Sequence, residues 1–227
     1  MSEPVSEPTS PPNAGEGGGA QPAAPAALVI EPALALLEFS SIAAGVEAAD
    51  AMVKRAALDL LRAGTVQPGR FLVLVGGPVA EVEEALKAGL AAAPDALNDH
   101  IFLPGVHRDV VRALGGGRSP GRLAAGHDAL GIVETRTVPA AIHAADRGVK
   151  GAEVALMEVR LADGLGGKGI VFFTGLVADV EAAVEIASGA LQPEQKVRQA
   201  VIAQLHAELA DALRASTRFG AQLDWRL

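Results

Sequence analysis

Residues 33–56 read A-L-A-L-L-E-F-S-S-I-A-A-G-V-E-A-A-D-A-M-V-K-R-A, and residues 129–152 repeat them as A-L-G-I-V-E-T-R-T-V-P-A-A-I-H-A-A-D-R-G-V-K-G-A. Glu38 matches Glu134, and Lys54 matches Lys150, both 96 positions later. A second pair of similar segments begins at Gly69 and Gly167, 98 positions apart. A repeat of this length predicts two similar domains in one chain, with two residues gained or lost between the matching blocks.

Composition divides the chain into four segments. Residues 1–27 hold six prolines and four glycines and almost no large apolar side chain, so we predict a disordered tail. Residues 28–114 form the first predicted domain. Residues 115–126, with five glycines, form the linker. Residues 127–227 form the second domain, which we expect to end in a helix.

Composition also excludes several classes of protein. The 227 residues are 50% hydrophobic but only 3% aromatic, which predicts cores of Ala, Val, Leu and Ile. The net charge of −8 and the lack of a Lys/Arg-rich run argue against a nucleic-acid or membrane partner. The chain has no cysteine, which excludes disulfides and cysteine-ligated metal clusters. The N-terminus has no secretion-signal pattern, so we expect the protein to stay inside the cell.

Apolar runs and helix-start residues predict the order β-α-β-β-α in each half. The first helix should start after Ser40-Ser41 in the first half and after Thr137 in the second, because these hydroxyls suit a helix N-terminus. The second helix should start at Val79 in the first half and at Val177 in the second. The predicted strands come in matching pairs, at residues 28–39 and 130–135, 57–62 and 154–161, and 71–75 and 170–173.

The first helix of each half carries an apolar stripe at helical spacing. We expect this stripe to face a core in both halves. Its members are Ile42, Val46, Ala49 and Val53 in the first half, and Val138, Ile142, Ala145 and Val149 in the second.

The two halves are predicted to end differently. The first ends in a strand at residues 101–103 and a short helix at residues 107–114. In the second, the apolar spacing over residues 192–215 predicts one long amphipathic helix, with no counterpart of strand 101–103 before it. Residues 217–227, with Trp225, are expected to form a late strand or a docked tail.

No motif in the chain predicts catalysis. Glu38 and Glu134 could be a pair of acid/base carboxylates, but they end corresponding strands of separate domains, which favours a structural hydrogen-bonding role. The glycine-rich loop at residues 164–169 fails the P-loop pattern, because Lys168 is followed by glycine. The five histidines lack metal-ligand spacing, and no serine lies in a G-x-S-x-G context. We therefore predict no catalytic residue, metal or cofactor.

Two motifs carry a resemblance to a known family. They are E-T-x₅-A-I-x-A-A-D-x-x-V-K-x-A from Glu134 and G-x-V-A-D-V-E-A-A from Gly175. With this element order, the chain resembles the tandem-domain class of bacterial microcompartment shell proteins. The resemblance implies two unpermuted βαββαβ-type domains of the α/β class, an α+β sandwich that is a ferredoxin-like variant. It also implies a structural, non-enzymatic role in a shell in the bacterial cytoplasm, as a trimer that imitates a hexamer around a central pore.

The same resemblance implies partners and site residues. The implied partners are hexameric and pentameric shell proteins, enclosed enzymes, and small metabolites that cross the pore. The edge arginine of the family's Pro-Arg-Pro-His motif is absent, because residues 104–107 read P-G-V-H. The alternative is a duplicated ferredoxin-like module that binds a small molecule or acts as a regulator. The implied site residues are Gln67, Pro68, Gly69, Leu165, Gly166 and Gly167 lining the pore, Thr65, Arg70, Asp163 and Lys168 flanking it, and Lys54 and Lys150 at the edge between tiles.

Overall fold

The computed structural model describes residues 33–119, 123 and 129–222. The predicted tail, residues 28–32 of the first predicted strand, most of the linker and the end of the chain with Trp225 lie outside these residues. The first domain contains β1 (Ala33–Phe39), α1 (Ile42–Arg55), β2 (Leu60–Val66), β3 (Arg70–Gly77), α2 (Val79–Ala92), β4 (Leu97–Leu103) and α3 (Arg108–Leu114). The second contains β5 (Ala129–Thr135), α4 (Val138–Gly151), β6 (Ala155–Leu161), β7 (Gly169–Gly175), α5 (Val177–Gly189), β8 (Lys196–Ile202) and α6 (Ala207–Ala215).

Each domain has one four-stranded antiparallel sheet, ordered β2-β3-β1-β4 or β6-β7-β5-β8. The central strand β1 places Glu38 opposite Asp99 of β4. The equivalent strand β5 places Glu134 opposite Arg198 of β8. The predicted fold class, two tandem βαββαβ domains with helices packed on antiparallel sheets, is confirmed.

Hydroxyl caps begin the first helix of each domain, as predicted. The Ser41 side chain accepts a hydrogen bond from the Ala44 amide, and the Thr137 side chain accepts one from the Ala140 amide, each at 3.4 Å. These bonds satisfy amides that the first helical turn leaves without an intrahelical partner. The helix starts at Val79 and Val177 are also confirmed.

The cores of the two domains exchange large and small residues at matching positions. In the first domain, Phe71 packs so closely over α1 that a Cβ on Gly45 would lie 2.5 Å from its ring. In the second domain, Gly169 takes the place of Phe71, and the facing helix residue is Ala141, against which a Cβ on Gly169 would collide. The exchange keeps the helix close to the sheet in both domains, because total volume is what a packed core conserves.

The predicted apolar stripe behaves differently in the two domains. In α4 it is buried as predicted, along with most of the helix. In α1 the prediction is wrong, because Ile42, Val46 and Val53 are 44%, 52% and 42% exposed. The buried face of α1 is instead Gly45, Ala48 and Met52. The difference arises because α4 is covered on its outer side by the first domain, whereas nothing in the described chain covers the outer side of α1.

A strand and a short helix replace the long helix predicted over residues 192–215. β8 pairs with β5 along its length and is the counterpart of β4, so the prediction that strand 101–103 has no counterpart is also wrong. α6 follows only from Ala207. The helical spacing of apolar residues was misleading here, because hydrogen bonding to the free side of β5 outweighs local pattern.

Other corrections concern the ends of elements. The strand predicted at residues 57–62 begins three residues later, as β2, because it pairs in register with β3 from Leu60 opposite Gly76. The strand predicted at residues 101–103 begins earlier, at Leu97. Of the two alternatives predicted from residue 217, the late strand is absent from residues 217–222, which contain a 3₁₀ turn at Phe219–Gln222. Thr217 instead docks on β6, where its hydroxyl donates to Glu158 at 2.9 Å and its carbonyl accepts from Arg160 at 3.0 Å.

The linker is anchored to the second domain through Arg118. Its guanidinium pairs with Glu158 of β6 at 2.8 Å. It also donates to the last carbonyl groups of α6, those of Leu213, Arg214 and Ala215, at 2.8, 3.2 and 3.3 Å. A cation at this end of a helix satisfies carbonyl groups that have no intrahelical partner. The linker therefore fixes α6 on the sheet of the second domain.

Candidate functional site: the junction between the two domains

The two predicted pore loops meet at one end of the junction between the domains. A Cβ built on Gly167 would lie only 2.8 Å from Pro68 Cδ, so the loops are in contact. Gly69, Gly166 and Gly167 have φ of 87°, 61° and 86°, a region that side-chain-bearing residues rarely occupy. The structure thus brings the two predicted triplets, residues 67–69 and 165–167, to one place.

Each loop has a cation at its base that is paired with the repeated glutamate. Arg70 pairs with Glu38, and Lys168 pairs with Glu134 at 2.8 Å. Arg70 also donates to the carbonyl of Gly167 at 3.4 Å. The other two predicted flanking residues, Thr65 and Asp163, are exposed. Arg70 therefore links the base of the first loop to the tip of the second.

Glu38 is the centre of a hydrogen-bond network that joins the domains. Its side chain is fully buried and accepts from Arg70, from Asn98 Nδ2 at 2.7 Å and from the Val138 amide at 2.8 Å. Val138 begins α4, so the carboxylate lies at the positive end of that helix. Burial raises the pKa of the Glu38 carboxyl, while these three donors act in the opposite direction. This is the structural hydrogen-bonding role favoured from the sequence.

Apolar side chains form the middle of the junction. Val138, Ile142 and Val149 of α4 are at most 9% exposed, and Val110 of α3 is fully buried. They belong to one cluster that also includes residues of β1 and β4. The core of the second domain therefore continues into the first, and we call this contact the seam.

Lys150 and Asp146 lie at the other end of the junction. Asp146 accepts a hydrogen bond from the His107 amide at 2.8 Å. Lys150 pairs with Asp146 and donates to the carbonyl of Gly105. The Lys150 side chain remains 39% exposed, whereas that of its copy Lys54 is 72% exposed. Both lysines thus keep an accessible face, and their predicted role at the tile edge stays a prediction.

A polar pocket of about 350 Å³ opens beside the Glu38 network. Asp99 in its wall accepts from Thr137 Oγ1 and from Gln195 Nε2 at 3.0 Å, so strand β4 is tied to the second domain there. Its lining combines two arginines, two carboxylates and neutral polar groups, namely Arg70, Asn98, Asp99, Arg136, Thr137, Glu194 and Gln195.

A family model, the BMC domain, matches this chain twice, over residues 33–106 and 129–205. The chain is a BMC-domain protein. Both matches coincide with the two structural domains and end shortly before α3 and α6. The resemblance to bacterial microcompartment shell proteins, based on the repeat and its motifs, is confirmed, and the role is that of a structural shell protein.

Individual relatives agree with this assignment. The chain is 44% identical over 156 residues to the microcompartment shell protein PduT of Citrobacter freundii, covering 69% of this chain and 83% of that protein. A microcompartment protein of Desulfitobacterium hafniense has a solved structure with a TM-score of 0.66 and 39% identity, covering 79% of this chain and 98% of that one. A fused permuted shell protein from the RMM microcompartment, at 19% identity and a TM-score of 0.51, shares the fold.

The described residues contain no cluster of three or more potential metal ligands. Among the same residues, no helix is both long and apolar enough to cross a membrane.

Sequence reasoning missed the junction residues Asp99, Asp146 and His107. The recurrence of Asp50 as Asp146 was the available signal, but an acid four residues before a lysine is also the pattern of an ordinary exposed pair.

Proposed function

We propose that three copies of this BMC-domain protein close into a ring of six domains that serves as one non-enzymatic tile of the shell. In this ring, the second domain of each chain binds the first domain of the next. The contact repeats the junction already present within the chain. Such a head-to-tail contact closes into a ring when its rotation divides the circle evenly.

One observation carries this proposal. Four buried members of the seam have an exposed copy at the matching position of the other domain. Val138, Ile142 and Val149 correspond to Ile42, Val46 and Val53 of α1, and Val110 corresponds to Leu209 of α6. The four copies are 44%, 52%, 42% and 47% exposed, whereas the four seam residues are 0%, 0%, 9% and 0% exposed. The first domain therefore presents one half of a second seam on α1, and the second domain presents the other half on α6. In a ring, these two halves would meet between neighbouring chains.

The burial of these copies is large enough to matter. Complete burial of an aliphatic side chain stabilises by about 1.5–3 kcal/mol. About half of each side chain is still exposed, so the gain is roughly 1 kcal/mol for each position. Four positions then contribute about 3–5 kcal/mol to each contact before its polar groups are considered.

The same ring would place the paired loops of three chains around a common axis. Residues 67–69 and 165–167 would then line a pore. Their glycine-rich backbone offers amide groups to small polar or anionic metabolites. Arg70 and Lys168 are both paired with glutamates, so their positive field at the pore is reduced. Hexameric and pentameric shell proteins would be the neighbours at the tile edge, and enclosed enzymes would lie behind it.

The mass of the purified full chain tests the proposal. Three copies of the 23.0 kDa chain give about 69 kDa, which native mass spectrometry and light scattering distinguish from a monomer or dimer. A chain that stays monomeric at high micromolar concentration would overturn the ring. The alternative, a small-molecule-binding regulator, would instead show saturable binding and form no sheets with co-expressed shell proteins.

A further inference from the structure

The Glu38 network within the chain has an incomplete copy on the outside of the molecule. Within the chain, Glu38 accepts from the Val138 amide at the start of α4 at 2.8 Å. The copies of these residues are Glu134 and Ile42. Glu134 is bound by Lys168 through Oε1 only, and its side chain is 27% exposed. In the described part of the chain, Glu134 Oε2 accepts no hydrogen bond and the Ile42 amide donates none.

The Asp146 contact at the other end of the junction has an incomplete copy as well. Asp146 receives the His107 amide within the chain, and the copies of these residues are Asp50 and His206. The Asp50 side chain is 57% exposed and is bound only by Lys54 among the residues described. Both incomplete contacts flank the same exposed apolar positions of α1. They lie about 12 Å apart along that helix at 1.5 Å for each residue, because eight residues separate Ile42 from Asp50.

We propose that Glu134 binds the Ile42 amide of a second copy of this chain, and that Asp50 of that copy binds the His206 amide in return. This inference rests on the proposed ring and specifies its polar contacts. The apolar positions alone would allow two α1 helices to pair with each other in a closed dimer. That arrangement supplies no acceptor for the Ile42 amide at the positive end of α1, whereas Glu134 supplies a carboxylate. Glu134 therefore fixes the head-to-tail direction of the contact.

The two partners can be removed separately. Glu134→Ala removes the acceptor, and Glu185→Ala, on an exposed position of α5, is the matched control. Ile42→Pro removes the donor with little cost to the helix, because Ile42 is its first residue and Ser41 before it is extended. Ile42→Ala is its control, since it removes most of the same side chain but keeps the amide.

The midpoint concentration of trimer formation, measured by mass photometry and light scattering on the full chain, is the readout. We expect Glu134→Ala to weaken each contact about 10- to 100-fold, the usual effect of losing a charged hydrogen bond. Ile42→Pro should weaken it more than Ile42→Ala. The double variant Glu134→Ala with Ile42→Pro should assemble no more weakly than the single variant with the larger effect, because both substitutions remove the same hydrogen bond. Melting curves should confirm that all variants remain folded.

Hydrogen exchange provides a second readout. In the assembled wild type, the Ile42 amide should be protected as the Val138 amide is. In Glu134→Ala, at a concentration high enough to restore the trimer, protection should be lost at Ile42 only. A wild-type trimer whose midpoint and Ile42 protection are unchanged by Glu134→Ala would overturn this inference and leave the ring intact. Failure of the wild type to form a trimer would overturn the ring itself.

Discussion

Val46 offers the sharpest test of the seam between chains. The side chain is 52% exposed within one chain, and its copy Ile142 is fully buried in the seam. In Val46→Asp, a carboxylate without a partner would enter each of the three contacts. Burial of an unpaired charge costs about 3–5 kcal/mol, which corresponds to more than a hundredfold weakening of each contact. We therefore expect a folded monomer.

The monomer itself should be almost unaffected. Substitutions at exposed positions usually change the free energy of unfolding by less than about 0.5 kcal/mol, and Val and Asp have similar helix propensities. Ala51→Asp is the control, because it adds the same charge to the same helix at a position outside the seam. The copy of Ala51 in the second domain is Arg147, which stays exposed beside the seam within the chain. Light scattering over a range of concentrations gives the assembly state, and thermal melting monitors the fold. A Val46→Asp protein that assembles like the wild type would refute the seam between chains.

Three further predictions concern the site. Arg70→Ala should lower the free energy of unfolding by removing the cation beside the buried Glu38. Because burial raises the pKa of the Glu38 carboxyl above the ordinary glutamate value of about 4.3, this group is mostly neutral at pH 4. The loss should therefore be small at pH 4 and grow as the pH rises through the raised pKa. Urea melts at pH 4 and 7 would test this, and an equal loss at both would contradict it. Gly167→Ala should lower the melting temperature more than Gly166→Ala, since both have positive φ but only Gly167 contacts Pro68; equal effects would argue against close contact of the loops. If Lys54 and Lys150 make tile-edge contacts, replacing both with Ala should reduce the sheets seen by electron microscopy with co-expressed shell proteins, at concentrations where trimers are complete, and an unchanged yield would rule the contacts out.

Local sequence patterns were reliable where local forces decide the structure. The caps at Ser41 and Thr137 and the helix starts at Val79 and Val177 depend on nearby residues, and all four were predicted. Local patterns failed at β8, where the spacing of Val197, Val201 and Leu205 is compatible with a helix. Pairing with β5 decides that segment, and the pairing partner lies more than 60 residues earlier in the chain.

The sequence by itself determined that the chain contains two copies of one domain, because the repeat and its motifs recur in order. It also determined which residues correspond between the copies, including Glu38 with Glu134 and Val46 with Ile142. Only the tertiary structure decided that Glu38 and Ile142 are buried at the junction, while Glu134 stays partly exposed and Val46 half exposed. The reason is physical: matching segments have similar local preferences, but burial depends on what packs against them, and within one chain only one of the two matching surfaces is covered by the other domain.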